Sequence, residues 1–423
     1  MIDLPAVFCY HCVVIRSKKR AVLYARSKPH IASLFIAVIY LAFISLGLPD
    51  SLLGSAWLVM HTELGASLSS AGVISLIISL STIVSALFSN QLVTRIGAPL
   101  VTALSVLLTA LAMLSFSFAG AFWQLCLLAV PYGLGAGAID TTLNNYTAKH
   151  LKARHMNWLH CCWGIGASVG PYMMGFCLSG ENSWRGGYLA ISVVQFVLTL
   201  IMFLSLPLWK KTAEQNGTEE KEIALPPQKT LCLKGALCLF LAGLFYFAIE
   251  QLPIVWASTF YTEVYSLNSE TAAFLASLFY IGITAGRLLS GFFSEKAGDK
   301  RMVRIGLFVV LAGAALIALS LPFASFLPAL IGFLLVGVGC GPVFPCLIHA
   351  VPNNFGAQYS GSVIGLMMAF SYTGMTFTPL LFGELAEAVT IKLLPFGVAL
   401  LALLVLLFTE LMNRAVKRLQ TAG

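Results

Sequence analysis

Runs of about twenty apolar residues, the length a helix needs to cross a hydrocarbon core of about 30 Å, recur almost without interruption along this chain. Twelve can be drawn, at 31–60, 69–92, 98–118, 122–148, 157–179 and 187–208, then 235–263, 269–294, 302–321, 326–348, 359–384 and 389–412. Inside a bilayer no water serves the backbone, so each run must satisfy its own N–H and C=O groups as a helix. The chain is therefore expected to be an all-α integral membrane protein with twelve transmembrane helices embedded in lipid. Composition agrees: 59% of the 423 residues are hydrophobic and only 10% are charged, against about 45–50% apolar content in soluble domains. No P-loop, dinucleotide-binding glycine turn or zinc-type histidine pair occurs. Enzyme chemistry and nucleotide-driven work thus lack a motif, and neither a cofactor nor a metal is expected.

Lysine and arginine concentrate in cytoplasmic loops, which checks the count independently. With the N-terminus inside, the basic residues from Arg16 to Lys28, Arg95, Lys149, Lys152, Arg154, the group from Lys210 to Lys234, Lys296, Lys300, Arg301, Arg304, Arg414, Lys417 and Arg418 share that side. Of the 25 basic residues only Arg185 and Lys392 fall outside, and Arg287 lies within a span. Both termini are thus expected in the cytoplasm, and the net charge of +8 reflects topology rather than affinity for nucleic acid. Residues 1–30 lack the apolar core and cleavage pattern of a signal peptide. They read as a cytoplasmic tail or an overextended start of translation. Cys9-Tyr-His-Cys12 has the spacing of a metal or redox pair, but no second pair follows and a bland tail is favoured. No extracellular disulfide framework is legible in the remaining cysteines.

The longest polar stretch, 209–234, is charged and carries Pro226-Pro227; it reads as a cytoplasmic linker. It divides the chain into a tail (1–30), a six-helix half (31–208), the linker, a second six-helix half (235–412) and a C-terminal tail (413–423). Duplicated halves should repeat local features, and the loop after the second helix of each half does so. One copy reads Gly291-Phe-Phe-Ser-Glu295-Lys296-Ala-Gly298, the other Asn90-Gln-Leu-Val-Thr94-Arg95-Ile-Gly97. A small residue permits close helix contact, a glycine permits the tight turn, and the charges can pair across an inner gate. Both copies resemble the cytoplasmic loop signature of the major facilitator superfamily. The first departs from it at Asn90 and Thr94.

Three acids, Asp50, Asp140 and Glu250, lie deep in spans that hold no other charge nearby. A charged group at a bilayer centre costs roughly 2.5–3.5 kcal/mol on insertion scales, so such acids face a protein interior or a watery path. Asp140 and Asn144 are one helical turn apart and share a face, with Gly135 and Gly137 just before them. Asp50 follows Gly47-Leu-Pro49, which weakens the helix ladder. Glu250 and Gln251 precede Pro253, and Trp256 could offer an apolar platform to a solute. Structural acids hydrogen-bonded between helices, and an interfacial role for Trp256, are the alternatives.

Leu48-Pro-Asp50, Gly-x-x-Asp140-Thr-x-x-Asn144 and Asn157-Trp-Leu-His160, followed by Ala248-Ile-Glu250, Trp256, Phe344-Pro345, Gly361-Ser362 and Thr378-Pro379, together resemble the fucose:proton symporter family of the major facilitator superfamily. The resemblance covers about residues 35–390. It implies that superfamily's fold and proton-coupled sugar uptake by alternating access, with Asp50 and Asp140 as the proton-coupling acids. Glutamate replaces Asp140 in the fucose transporter, and glutamine replaces His160 and Glu250, so the sugar itself is open.

Substrate contacts are expected from Asn144, His160, Glu250, Gln251 and Trp256, and inner-gate contacts from Arg95, Gly97, Gly291, Glu295, Lys296 and Gly298. His160 reads as a neutral hydrogen-bonding residue, with proton transfer as the alternative. Arg287 reads as a structural base snorkelling toward the cytoplasm. Gly164-x-Gly166-x-x-x-Gly170-Pro171 resembles a pattern of drug:proton antiporters, though such spacing also serves plain packing. The expected partners are a sugar-like solute, a proton or in its place sodium, and the lipid of a bacterial plasma membrane, with the protein a monomer. Proton-driven efflux of a drug or metabolite, or a non-transporting receptor or scaffold, are the competing functions.

Overall fold

The computed structural model describes residues 29–180, 183–216, 222–323 and 325–420. Twelve helices among them are long and apolar enough to cross a membrane. The first is in two pieces, α1a (Pro29–Asp50) and α1b (Leu52–Glu63). Then follow α2 (Ala71–Ile96), α3 (Ala98–Ser117), α4 (Phe122–His150), α5 (Ala153–Ser179) and α6 (Ser183–Asn216). The second half comprises α7 (Ala236–Tyr265), α8 (Ser269–Ala297), α9 (Asp299–Ser320), α10 (Leu327–His349), α11 (Ser360–Ala388) and α12 (Leu394–Gln420). Cys9 and Cys12, with nearly all of the tail expected over 1–30, lie outside the described residues.

Several helices run past the ends suggested by hydropathy. α5 starts at Ala153, α6 spans Ser183–Asn216, and α12 continues to Gln420. Apolarity reports the thickness of the hydrocarbon layer, whereas backbone hydrogen bonding continues into water wherever side chains are polar. The linker is accordingly helical at its start and holds a short helix, Pro227–Leu231.

The two halves repeat one packing pattern: first helix on fifth, second on fourth, third on sixth. The matching loops also share a backbone: Gly97 has φ +85° and ψ 150°, Gly298 has φ +77° and ψ 153°. A side chain would be strained at either position, which is why the turn selects glycine.

Prolines loosen helices in the first half, and neighbouring side chains repair the ladders. Pro49 has no N–H for the Ser45 carbonyl one turn back. Gln195 of α6 supplies the donor, its Nε2 lying 2.5 Å from Ser45 O, and the Ser45 hydroxyl donates back to Gln195 Oε1. Pro171 likewise frees Ala167 O, and Ser51 Oγ donates to it at 2.8 Å. Gly166 and Gly170 face the Ile44 and Leu48 carbonyls of α1a too closely to admit a Cβ. The glycine run of α5 is thus spent largely on packing against α1a, and its Gly164 faces Thr284 of α8.

The end of the bundle that carries Arg95, Lys149, Lys152, Arg154, Lys296 and Arg301 is the basic end. Between the halves, α2 packs on α11 and α5 on α8. The polar contacts across this seam run from the centre to the basic end. Ser360 Oγ donates to Asn145 Oδ1 at 2.7 Å, Ser290 Oγ to Asn157 Oδ1 at 2.7 Å, and His349 Nε2 lies 3.3 Å from Leu151 O. Among the described residues, no hydrogen bond or ion pair joins the halves at the opposite end. The seam is closed at the basic end.

Candidate functional site

Asp50 ends α1a, where the helix breaks at Ser51. It is exposed although helices surround it, so it faces an opening within the bundle. Tyr132 of α4 donates its hydroxyl to Asp50 Oδ1 at 2.6 Å, and Trp163 of α5 donates its indole N–H to Oδ2 at 2.8 Å. Both carboxylate oxygens are held by donors from neighbouring helices.

Asp140 of α4 is 9% exposed and Asn144 is fully buried. Asn144 Nδ2 donates to Asp140 Oδ1 at 2.8 Å, and Asn144 Oδ1 faces His160 Nε2 of α5 at 3.1 Å. The amide oxygen can only accept, so the network assigns a proton to His160 Nε2. The imidazole sits edge-on between Phe43 and Phe344, at centroid distances of 5.4 and 5.7 Å. Tyr372 of α11 donates its hydroxyl to Asp140 Oδ2. This bond crosses from the second half to the first.

In the second half, Glu250 of α7 meets Arg287 of α8, with Nη2 3.0 Å from Oε1. Arg287 does not snorkel, contrary to the expectation from sequence; it is 4% exposed. A snorkelling base needs a clear route to water, and this guanidinium instead finds a carboxylate inside the bundle. It also reaches across the seam, with Nη1 3.5 Å from His160 O and its carbon 5.4 Å from the Trp163 ring centroid. The polar centre thus joins both halves: Asp50, Asp140, Asn144 and His160 from one, Glu250, Arg287 and Tyr372 from the other.

Gln251 is half-buried beside Glu250. Trp256 stands apart from the cluster: its N–H donates to Pro379 O at 3.1 Å and its ring lies against Gly383 and Phe382. In the loop copies, Glu295 is bracketed by Arg154 (3.1 Å) and Lys152 (3.5 Å) of the first half. Gly291 leaves room for the Trp158 indole. Arg95 and Lys296 are exposed, and neither forms an ion pair among the described residues. Thr94 donates to Gln91 O of its own helix at 2.9 Å. Where Asn90 replaces the glycine, the space comes from the partner helix: Gly361 of α11 has no room for a Cβ against the Asn90 amide.

Tyr132, Trp163, Tyr372 and Arg287 were not singled out as site residues from sequence. Two had a signal. Tyr132 continues the Asp140–Asn144 face backward at steps of four, and Trp163 lies one turn from His160. Arg287 is the base deepest inside a span of the second half, and Glu250 the only acid near the middle of one; mutual neutralisation was legible. Tyr372 carried no such mark.

Comparison with known proteins agrees with this architecture. The uncharacterized transporter y4wD of Sinorhizobium fredii is 25% identical, covering 82% of this chain and 89% of its own. The tetracycline resistance protein, class H, of Pasteurella multocida is 24% identical over 69% of this chain and 73% of its own. The glucose/mannose transporter GlcP of Bacillus subtilis is 23% identical over 64% and 71%. Among solved structures, FucP in the outward conformation superposes with a TM-score of 0.72 at 13% identity, covering 89% of this chain and 98% of FucP. The proton:xylose symporter XylE gives 0.69 at 13% identity, over 90% and 95%. The family profile described as Major Facilitator Superfamily matches residues 39–379. With its twelve spans, duplicated halves and central seam, the chain belongs to the Major Facilitator Superfamily of membrane transporters.

Proposed function

We propose that this transporter takes up a monosaccharide or similar polyhydroxylated solute together with protons, with its basic end in the cytoplasm of a bacterial cell. The observation that carries this reading is the hydrogen bond from Tyr372 to Asp140, continued through Asn144 to His160. An ionised Asp140 accepts charge-assisted bonds from both donors. Protonation removes the charge, so a proton arriving through the open end loosens a tie between the halves. It also lowers the cost of carrying the acid through a dry, occluded state. Loading a proton and releasing the seam become one event.

Asp50, on the open side, is the first acid a proton meets. Sodium fits less well, because both oxygens of each aspartate face hydrogen-bond donors rather than the several oxygen ligands a hard cation needs. Asn144, Glu250 and Gln251 supply donors and acceptors for hydroxyl groups. Trp163 supplies an apolar face beside Asp50; Trp256, apart from the cluster with its N–H spent on Pro379 O, is left out of the solute contacts. GlcP, described as a glucose/mannose transporter, supports the sugar reading. A relative of comparable similarity described as a tetracycline resistance protein favours proton-driven efflux as the second reading.

Cells expressing the chain, in weak buffer with a pH electrode, distinguish the two. A sugar panel should produce external alkalinisation with one class of sugar, and Asp50→Asn or Asp140→Asn should abolish it. The proposal fails if both variants accumulate every solute as the parent does. Proton entry coupled to solute exit would establish efflux instead.

A further inference from the structure

At the basic end the linker is gripped by both halves. Glu222 Oε1 takes the Lys149 ammonium at 2.5 Å and the Asn145 amide at 2.9 Å, both from α4. The Asn90 amide of α2 satisfies both its neighbours when its nitrogen faces Glu222 Oε2 at 2.9 Å and its oxygen faces Ser362 Oγ at 2.8 Å. The same strand of linker is tied to the second half through its backbone. Ile223 N–H donates to Gln358 O at 2.9 Å, and Leu225 N–H donates to Ser362 Oγ at 2.9 Å. Leu225, Pro227 and Thr230 then lie over the line where α2 meets α11.

A connector between two rocking bodies needs slack, and this one has none where it crosses the seam. Glu222 is held by three side chains of the first half, with its own side chain only 14% exposed. The next residues are held by the second half. Parting α2 from α11 at the basic end therefore requires breaking one set of these bonds. Glu222 differs from Glu295, whose partners sit at half-exposed positions where ion pairs contribute roughly 0–1 kcal/mol.

We propose that residues 222–225 are a latch that holds the basic end closed, with the Glu222 carboxylate as its bolt and Lys149, Asn145 and Asn90 as its seat. The latch rests on alternating access but not on any particular solute or coupling ion. Its test therefore reads the seam itself rather than transport.

Cys346 of α10 is fully buried beside Asn157 of the first half, 3.9 Å from its Nδ2, and becomes reachable when the basic end opens. In a protein keeping Cys346 as its sole cysteine, labelling by a membrane-impermeant maleimide in inside-out vesicles reports that opening. Glu222→Gln should raise the labelling rate about 10-fold, the response of a two-state equilibrium to loss of a latch bond. Ile223→Pro, which removes the donor to Gln358 O and restrains the backbone around it, should raise it as well. Lys149→Glu should act like Glu222→Gln, and combining it with Glu222→Lys should return the rate to within about 2-fold of the parent, as expected for a coupled pair. That rescue separates a lost latch from a misfolded protein. Parental rates in both Glu222→Gln and Ile223→Pro would overturn the latch, as would a charge-reversed pair no slower than Lys149→Glu alone.

Discussion

Replacing Glu250 by glutamine should destabilise the protein far more than replacing Glu250 and Arg287 together. The two side chains are 9% and 5% exposed and meet at 3.0 Å. At an effective dielectric of about 20, that separation gives roughly 5–6 kcal/mol of attraction. Removing two ions from water costs several kcal/mol each, so the intact pair sits near break-even against neutral side chains. The singles behave differently. Without Glu250 the guanidinium loses the carboxylate that pairs with it, keeping His160 O at 3.5 Å and the face of Trp163, while its Nε lacks a partner. An uncompensated buried charge costs about 3–5 kcal/mol. Glu250→Gln and Arg287→Met should each lose that much, and the double variant should lie within about 1 kcal/mol of the parent. The assay is unfolding in graded mixtures of sodium dodecyl sulfate and dodecylmaltoside, followed by tryptophan fluorescence. Singles that each lose under about 1 kcal/mol, or a double variant near the sum of the singles, would refute a mutually compensating buried pair.

Tyr372→Phe removes the donor from the second half to Asp140. It should weaken proton–solute coupling, seen as a lower ratio of protons to solute in uptake, while Tyr372→His, which keeps a donor, retains more of it. An unchanged ratio in the phenylalanine variant would detach Tyr372 from coupling. Gly166→Leu forces a side chain against the Ile44 carbonyl of α1a and, as overpacking, should cost about 1–3 kcal/mol or more. Gly175→Leu on the same helix, where a Cβ meets nothing within 4 Å, serves as the control and should melt like the parent.

Much of the fold was legible because the bilayer imposes a simple rule. An apolar run of sufficient length must be a helix, and positive charge marks one side. That reasoning yielded the twelve spans, the two halves and the turn glycines at 97 and 298. It read helix ends less well, since hydropathy senses lipid while α5, α6 and α12 carry on beyond it. The acids of the candidate site were legible, because a buried carboxylate is conspicuous, and what holds them was less so. Tyr132, Trp163 and Tyr372 are ordinary in an apolar chain until a carboxylate is seen to face them. Arg287 was misjudged because its position along one helix was weighed without its partner on the next.

The membrane architecture and the presence of Asp50, Asp140 and Glu250 inside it are written in the residues themselves, since both follow from solvation costs that each residue bears alone. How acids are compensated emerges from packing: Asp140 by Tyr372 across the seam, Glu250 by Arg287, and Glu222 of an unremarkable polar linker by Lys149 and Asn145. Desolvation is a property of one residue in its segment. Hydrogen bonds and ion pairs between helices belong to pairs that only packing brings together.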